Sequence, residues 1–141
     1  MAERKEKIRE RKEKIRILSF GFDVKSWHPG YEVPQADLTL DCRHIFDPAR
    51  IELFGSQHSG LEQDVRDFVL EFHESEELLE EAIDYVEARG NVSETVTIAF
   101  GCMWGKHRSV SLAIVLGERL KEMGYYVEVK HISIEGGWIK V

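Results

Sequence analysis

A chain of 141 residues with 43% apolar and 32% charged residues is sized and composed for one globular domain, and no apolar run approaches the roughly 20 residues that span a bilayer. A formal charge of −7 excludes diffuse attraction of the whole surface to nucleic acid, because such binding grows with the number of phosphates neutralised. Two cysteines, Cys42 and Cys102, outside any Cys-x-x-Cys pair argue against a disulfide framework and a structural zinc site.

Residues 3–16 repeat one seven-residue unit, Glu-Arg-Lys-Glu-Lys-Ile-Arg, without change. Residues 1–16 carry a local charge of +4, which leaves −11 for the rest of the chain. One apolar residue per unit, Ile8 and then Ile15, is too few for a coiled-coil seam, so a lone charged helix is predicted for this arm. Glu3/Lys7 and Glu10/Lys14 pairs would support it by a few tenths of a kcal/mol each. No secretion-signal apolar stretch follows the first residues, and the cytoplasm is the expected location.

The domain proper is expected over residues 17–141. Residues 15–22 form a first predicted strand, buried on both faces toward its end. A loop follows around Trp27-His-Pro-Gly-Tyr and Pro34. Residues 37–46 suggest a second strand, closed by Asp47-Pro48, and residues 49–60, with Gly55, Ser56, Gln57, Ser59 and Gly60, read as an irregular loop. Leu61, Val65, Phe68, Val69 and Phe72 share one helical face, and Ser75 opens a second helix through Leu79, Ala82, Ile83 and Val86 to Gly90-Asn91. The acid-rich run from Glu74 to Glu87 is its solvated side. Residues 95–102 give a third strand, 108–123 a third helix capped by Gly124, and 125–132 a fourth strand. Alternating strands and helices imply an α/β fold with a mainly parallel sheet, flanking helices and ligands at the carboxyl ends of the strands. Trp138, beside Gly136-Gly137, is a tail anchor.

The chemistry concentrates in Thr95-Val-Thr-Ile-Ala-Phe-Gly-Cys-Met-Trp-Gly-Lys-His-Arg-Ser-Val110, a strand, a glycine-bracketed loop and a helix start. A helix start offers N–H groups without intrahelical partners and the positive end of the dipole, so a phosphate there meets oriented donors. Gly101 and Gly105 permit the turn, and Lys106, His107, Arg108 and Ser109 add charge and side-chain donors. Cys102, five intervening residues and Arg108 also match the spacing of cysteine-dependent phosphatases, in which a thiolate attacks phosphorus and the arginine clamps the phosphate. Gly101 stands where those loops commonly carry histidine, and no Asp is placed to protonate a leaving group.

Gly101-Cys-Met-Trp-Gly-Lys-His-Arg-Ser-Val resembles the Gly-Cys-Thr-Gly-Gly-(Lys/Gln)-His-Arg-Ser-Val segment of the RapZ C-terminal domain family. Ser19-Phe-Gly-Phe, Ala36-Asp-Leu with Asp41-Cys-Arg (Asp-Val-Arg in the family), Ser59-Gly-Leu-Glu with Val65-Arg-Asp-Phe-Val, and Gly124-Tyr-Tyr-Val-Glu-Val-Lys-His extend the resemblance, in order, over about residues 17–135. It implies an α/β domain whose pocket holds a phosphorylated metabolite, glucosamine-6-phosphate in the enterobacterial member. There the domain also binds a small regulatory RNA and helps deliver it to ribonuclease E. Larger members carry a P-loop domain ahead of this one; the chain reads as the C-terminal domain alone, without a Gly-x-x-x-x-Gly-Lys-Ser/Thr motif. Met103-Trp104 replaces Thr-Gly, Ala49 a ligand-facing His, and Ile132 a common Arg.

The resemblance leaves phosphate recognition resting on Gly101, Cys102, Gly105, His107, Arg108 and Ser109, with Trp104 as a stacking surface, Lys106 as added charge, and Asp41 and Arg43 at the end of the second strand. The alternatives are structural: Arg108 paired with Asp41, His107 capping local backbone, Cys102 as a small buried loop residue, Ser109 as a helix cap. The expected function is non-catalytic regulation through a sugar phosphate or nucleotide, coupled to RNA or a protein partner. A Cys102 phosphatase, and an RNA adapter using the 1–16 arm with Lys106 and Arg108, are the rivals. No cofactor is implied. His28, His44, His58, His73 and His131 lack metal spacing, so no metal is implied either.

Overall fold

The computed structural model describes residues 14–23, 30–51, 58–89, 94–134 and 138–141. Strand β1 (Lys14–Gly21) alternates Ile15 and Ile17 on one face with Leu18 and Phe20 on the other, all buried. It is central, paired in parallel with β3 (Val96–Cys102) on one side and β4 (Tyr126–His131) on the other, which is why both its faces are apolar. Strand β2 (Leu38–Asp41) pairs in parallel with β3, and β5 (Ile139–Lys140) pairs antiparallel with β4, giving the order β2-β3-β1-β4-β5.

The second strand is shorter than the predicted 37–46. An Asp41 carboxylate oxygen accepts from the Arg43 N–H at 2.9 Å and the Cys42 carbonyl from the Ile45 N–H at 3.1 Å, so the chain turns where the ladder would have continued. A short 3-10 turn (Pro48–Arg50) follows, capped by Asp47. Because β1 begins at Lys14, Lys14, Ile15 and Arg16 belong to the sheet and not to the arm. The remaining arm residues, the Trp27–Pro29 loop, Gly55–Gln57, Gly90-Asn91 and Gly136-Gly137 lie outside the described residues.

Helices α1 (Gln63–Leu70) and α2 (His73–Ala88) are separated by an extended Phe72. Ser75 does not cap α2: it lies inside the first turn, buried, and its hydroxyl donates to the Val69 carbonyl at 2.7 Å, tying the two helices together. Helix α3 (Arg108–Glu122) lies across β1, β3 and β4 with α1 and α2 beside it. The main core is formed between this helical layer and one sheet face, where Ile15, Ile17, Val96, Ile98, Phe100, Val127 and Val129 meet Leu79, Leu112, Leu116 and Leu120. Among the described residues the opposite face carries a much smaller apolar group, Leu18, Phe20 and Ala99 with Phe22, Ala36 and Ile132. Trp138 anchors the tail as expected, with the Arg16 guanidinium 4.7 Å and the Lys130 ammonium 5.9 Å from its ring centre.

All four parallel strands end at one edge, so the segments after Gly21, Asp41, Cys102 and His131 gather there. The connection from β1 leads outward past β3 to β2, while that from β3 leads back over β1 to β4.

Candidate functional site

The segment from Met103 to His107 fills this edge. Gly105 has φ +71°, and a Cβ there would lie 2.5 Å from the Gly21 nitrogen and the Phe20 carbonyl carbon, so the turn needs both the conformation and the missing side chain. Gly60 plays a related part from the other side. Its N–H donates to the Lys106 carbonyl at 2.8 Å, and a Cβ on it would meet the Ser111 nitrogen at 2.5 Å and the His107 oxygen at 2.7 Å. The loop is clamped between β1 and the segment leading into α1, which fixes the direction of the first turn of α3.

That first turn is rich in uncommitted donors. The His107 carbonyl accepts from the N–H and the hydroxyl of Ser111, at 3.0 and 2.7 Å. Among the described residues the backbone N–H groups of Gly105, Arg108, Ser109 and Val110 meet no acceptor. His107 occupies the N-cap position without a side-chain cap, and Ser109 does not cap either: its hydroxyl lies 3.2 Å from the Cys102 sulfur. Cys102 is buried at the end of β3, while Met103 and Trp104 are exposed.

Arg108 is only 5% exposed, and its guanidinium is not the open fork that the sequence suggests. Nη1 donates to the carbonyls of Arg43 at 2.9 Å and Ile45 at 3.1 Å, and Nη2 lies 3.5 Å from the Asp47 carboxylate. Its counter-ion is therefore Asp47 and not Asp41. The Nε–H, also buried, has no hydrogen-bond partner. A buried donor left unmade costs about 1–3 kcal/mol, so this atom marks a place where an acceptor would be strongly held.

Asp41 and Arg43 form a bidentate pair at 2.7–3.1 Å on the exposed rim, the Arg43 guanidinium lying 4.1 Å from the Phe22 ring centre. Hydrogen bonding to Arg43 holds the Asp41 carboxyl below its ordinary value. Gly101 faces the same side, with the Phe20 and Phe22 rings 2.5 Å from where its Cβ would be. Lys106 is half-buried and His107 buried at the loop's far end. The ten sequence-predicted residues thus share one edge, but on two sides of the sheet: Cys102 and Ser109 under the helices, Asp41 and Arg43 on the opposite rim. The Arg43 carbonyl links the two through Arg108.

Sequence reading missed several contributors. Asp47 neutralises Arg108, the Ser133 hydroxyl accepts from the Gly21 N–H at 3.1 Å, and the Ser19 hydroxyl and His131 Nδ1 meet at 2.7 Å, both fully buried. A signal existed for Ser19, since it shares the strand face of Ile15 and Ile17, where an apolar residue is the rule. Among the described residues no cluster of His, Cys, Asp or Glu could hold a metal, and no described helix is long and apolar enough to cross a membrane.

Residues 13–135 match the family described as the RapZ C-terminal domain. The chain is 35% identical over 132 residues to a nucleotide-binding protein of Lachnoclostridium phytofermentans, covering 87% of this chain and 42% of that relative. It is 36% identical to nucleotide-binding proteins of Bacillus cytotoxicus, over 86% of this chain and 41% of the relative, and of Finegoldia magna, over 83% and 40%. The chain thus spans about two-fifths of the length of these curated relatives. With the family match, the loop and the parallel-sheet edge in agreement, the chain belongs to the RapZ C-terminal domain family.

Proposed function

We propose that this domain is a non-catalytic recognition module for a phosphorylated small molecule, a sugar phosphate or a nucleotide, held at the Gly101–Ser109 loop, with a regulatory output. The observation that carries the reading is the buried Nε–H of Arg108, which has no hydrogen-bond partner, on the same loop and helix start where, among the described residues, the amides of Gly105, Arg108, Ser109 and Val110 meet no acceptor. A phosphate accepts from several donors at once and is favoured by the positive end of the helix dipole, so a phosphate at this turn would supply the acceptors it lacks. Arg108 acts through Nε, its other nitrogens holding the 43–47 segment against the loop. The exposed Trp104 would stack on a base or the apolar face of a sugar.

The test is a melting-temperature panel of inorganic phosphate, sugar phosphates and nucleotides against chloride of equal ionic strength. A ligand at about 100 times its dissociation constant adds about 2.7 kcal/mol. Arg108→Lys, which keeps the charge but removes the Nε–H and the fork, is expected to lose this increment relative to its own unliganded midpoint. Trp104→Ala is expected to weaken nucleotides while leaving inorganic phosphate unchanged. A panel with no response to any phosphate compound refutes the proposal. The approach of Ser109 to Cys102 favours a phosphatase as the second reading. Turnover of p-nitrophenyl phosphate that vanishes in Cys102→Ser would establish it. An RNA partner would be met by the basic arm, and deleting residues 1–13 would then flatten the salt dependence of binding.

A further inference from the structure

We infer that Cys42 and Cys102 are a cross-strand thiol pair that closes to a reversible intramolecular disulfide under a peroxide-class oxidant. The register of β2 and β3 carries the inference. Leu40 pairs with Phe100 and Asp41 with Gly101, and the ladder continues one step further, since the Cys42 N–H donates to the Gly101 carbonyl at 2.7 Å. That bond sets Cys42 directly beside Cys102 in a parallel pair. Neighbouring strands lie about 4.8 Å apart, inside the Cα separation of about 4.4–6.8 Å that a disulfide tolerates. Both side chains project to the helix-covered face, as those of Leu40 and Phe100 do, and both thiols are free. Each has only a weak polar contact, Cys42 with the Leu40 carbonyl at 3.8 Å and Cys102 with the Ser109 hydroxyl at 3.2 Å.

The order of events follows from the surroundings. Burial pushes the Cys42 thiol well above its ordinary value, and the proximity of Cys102 adds to the shift, so Cys42 is not the first thiolate. Cys102 is itself buried, at 2% exposure against 0% for Cys42, but it adjoins exposed Met103 and Trp104, so an oxidant entering at that edge reaches Cys102 before Cys42. Its thiolate attacks one peroxide oxygen, the S–O bond forms as the O–O bond breaks, and the departing hydroxide takes a proton to become water. Cys42 sulfur then attacks the resulting sulfenic acid, its proton leaves with the second hydroxide as water, and the S–S bond forms. Two thiols are oxidised and one peroxide is reduced to two waters. Closure withdraws the Cys102 sulfur from Ser109, so on the phosphate-binding reading the oxidation state reaches the ligand's own donors.

The folded protein is treated with hydrogen peroxide, free thiols are blocked with N-ethylmaleimide, and peptides are mapped without and with dithiothreitol. The expected result is loss of both alkylation sites, a linked peptide pair carrying Cys42 and Cys102 two hydrogens lighter than the reduced pair, a monomeric mobility, and full recovery on reduction. In Cys42→Val, with no resolving thiol, no linked pair can form and Cys102 is expected to be recovered as the thiol or, where oxidised, as sulfenic or sulfinic acid. Retention of both thiols, sulfinic acid at Cys102 in the unsubstituted protein, or linkage only between molecules would each overturn the inference. None of these readings requires a ligand, so they stand apart from the outcome of the phosphate panel.

Discussion

Arg108 and Arg119 sit on the same helix about three turns apart, and the fold treats them in opposite ways. Arg119, in the last turn, forms a two-pronged pair with Glu76 at 2.7 and 2.8 Å, partly in water and at the end of the helix where a cation is favoured. Arg108, at the first position, is buried, opposes the dipole, and leaves one donor without a partner. Helix α3 is therefore satisfied at one end and in deficit at the other. On the proposed function, that deficit is what a bound anion would relieve.

The largest way to break this contrast is Gly105→Ala. The backbone conformation and the contacts at 2.5 Å both oppose a methyl group, and a loss of about 4 kcal/mol is expected in a denaturant titration. A loss under about 1 kcal/mol would mean that the loop is not clamped against β1. Next comes Arg108→Ala, which strands the Arg43 and Ile45 carbonyls and the Asp47 carboxylate. About 3 kcal/mol is expected from the same measurement, against about 0.5 kcal/mol for Arg119→Ala at the other end of the helix. Equal losses at the two positions would erase the comparison.

The Arg119 end carries its own pH signature. Hydrogen bonding to Arg119 holds the Glu76 carboxyl below the ordinary glutamate value of 4.5, so folding favours its ionised form. The pair's contribution is complete above that value and is lost as pH falls through the lower folded value. A double-mutant cycle on Glu76→Gln and Arg119→Ala should give a small coupling at neutral pH, screened by salt, that disappears in acid. Coupling that grew on acidification would contradict the assignment. The smallest effect is expected from Arg43→Ala: no resolvable change in melting temperature, because its side chain lies on the exposed rim. A loss of phosphate response in that variant would extend the site across the sheet edge.

Much of the fold was legible in the chain. The buried character of β1 beyond Leu18, the loop between β3 and α3, and the extents of α3 and β4 all follow from local apolar spacing and glycine placement, which act over a few residues. The second strand was read too long, because the Asp41 carboxylate captures a backbone N–H that strand propensity alone would leave to the sheet. Ser75 looked like a cap, yet its hydroxyl serves the carbonyl of Val69. The two-residue strand β5 has no pattern of its own and exists because Val129 and Glu128 offer an edge.

The sequence by itself determined an α/β domain and the position of the glycine-bracketed loop between β3 and α3, since periodicity, turn residues and a strand–loop–helix order are local properties. Tertiary structure decided what each charged group is for. Whether Arg108 faces solvent, Asp41 or Asp47, and whether Cys42 stands beside Cys102, depends on strand register and on carbonyls more than sixty positions away in the chain. Those distances are set by packing, and no spacing within the loop encodes them.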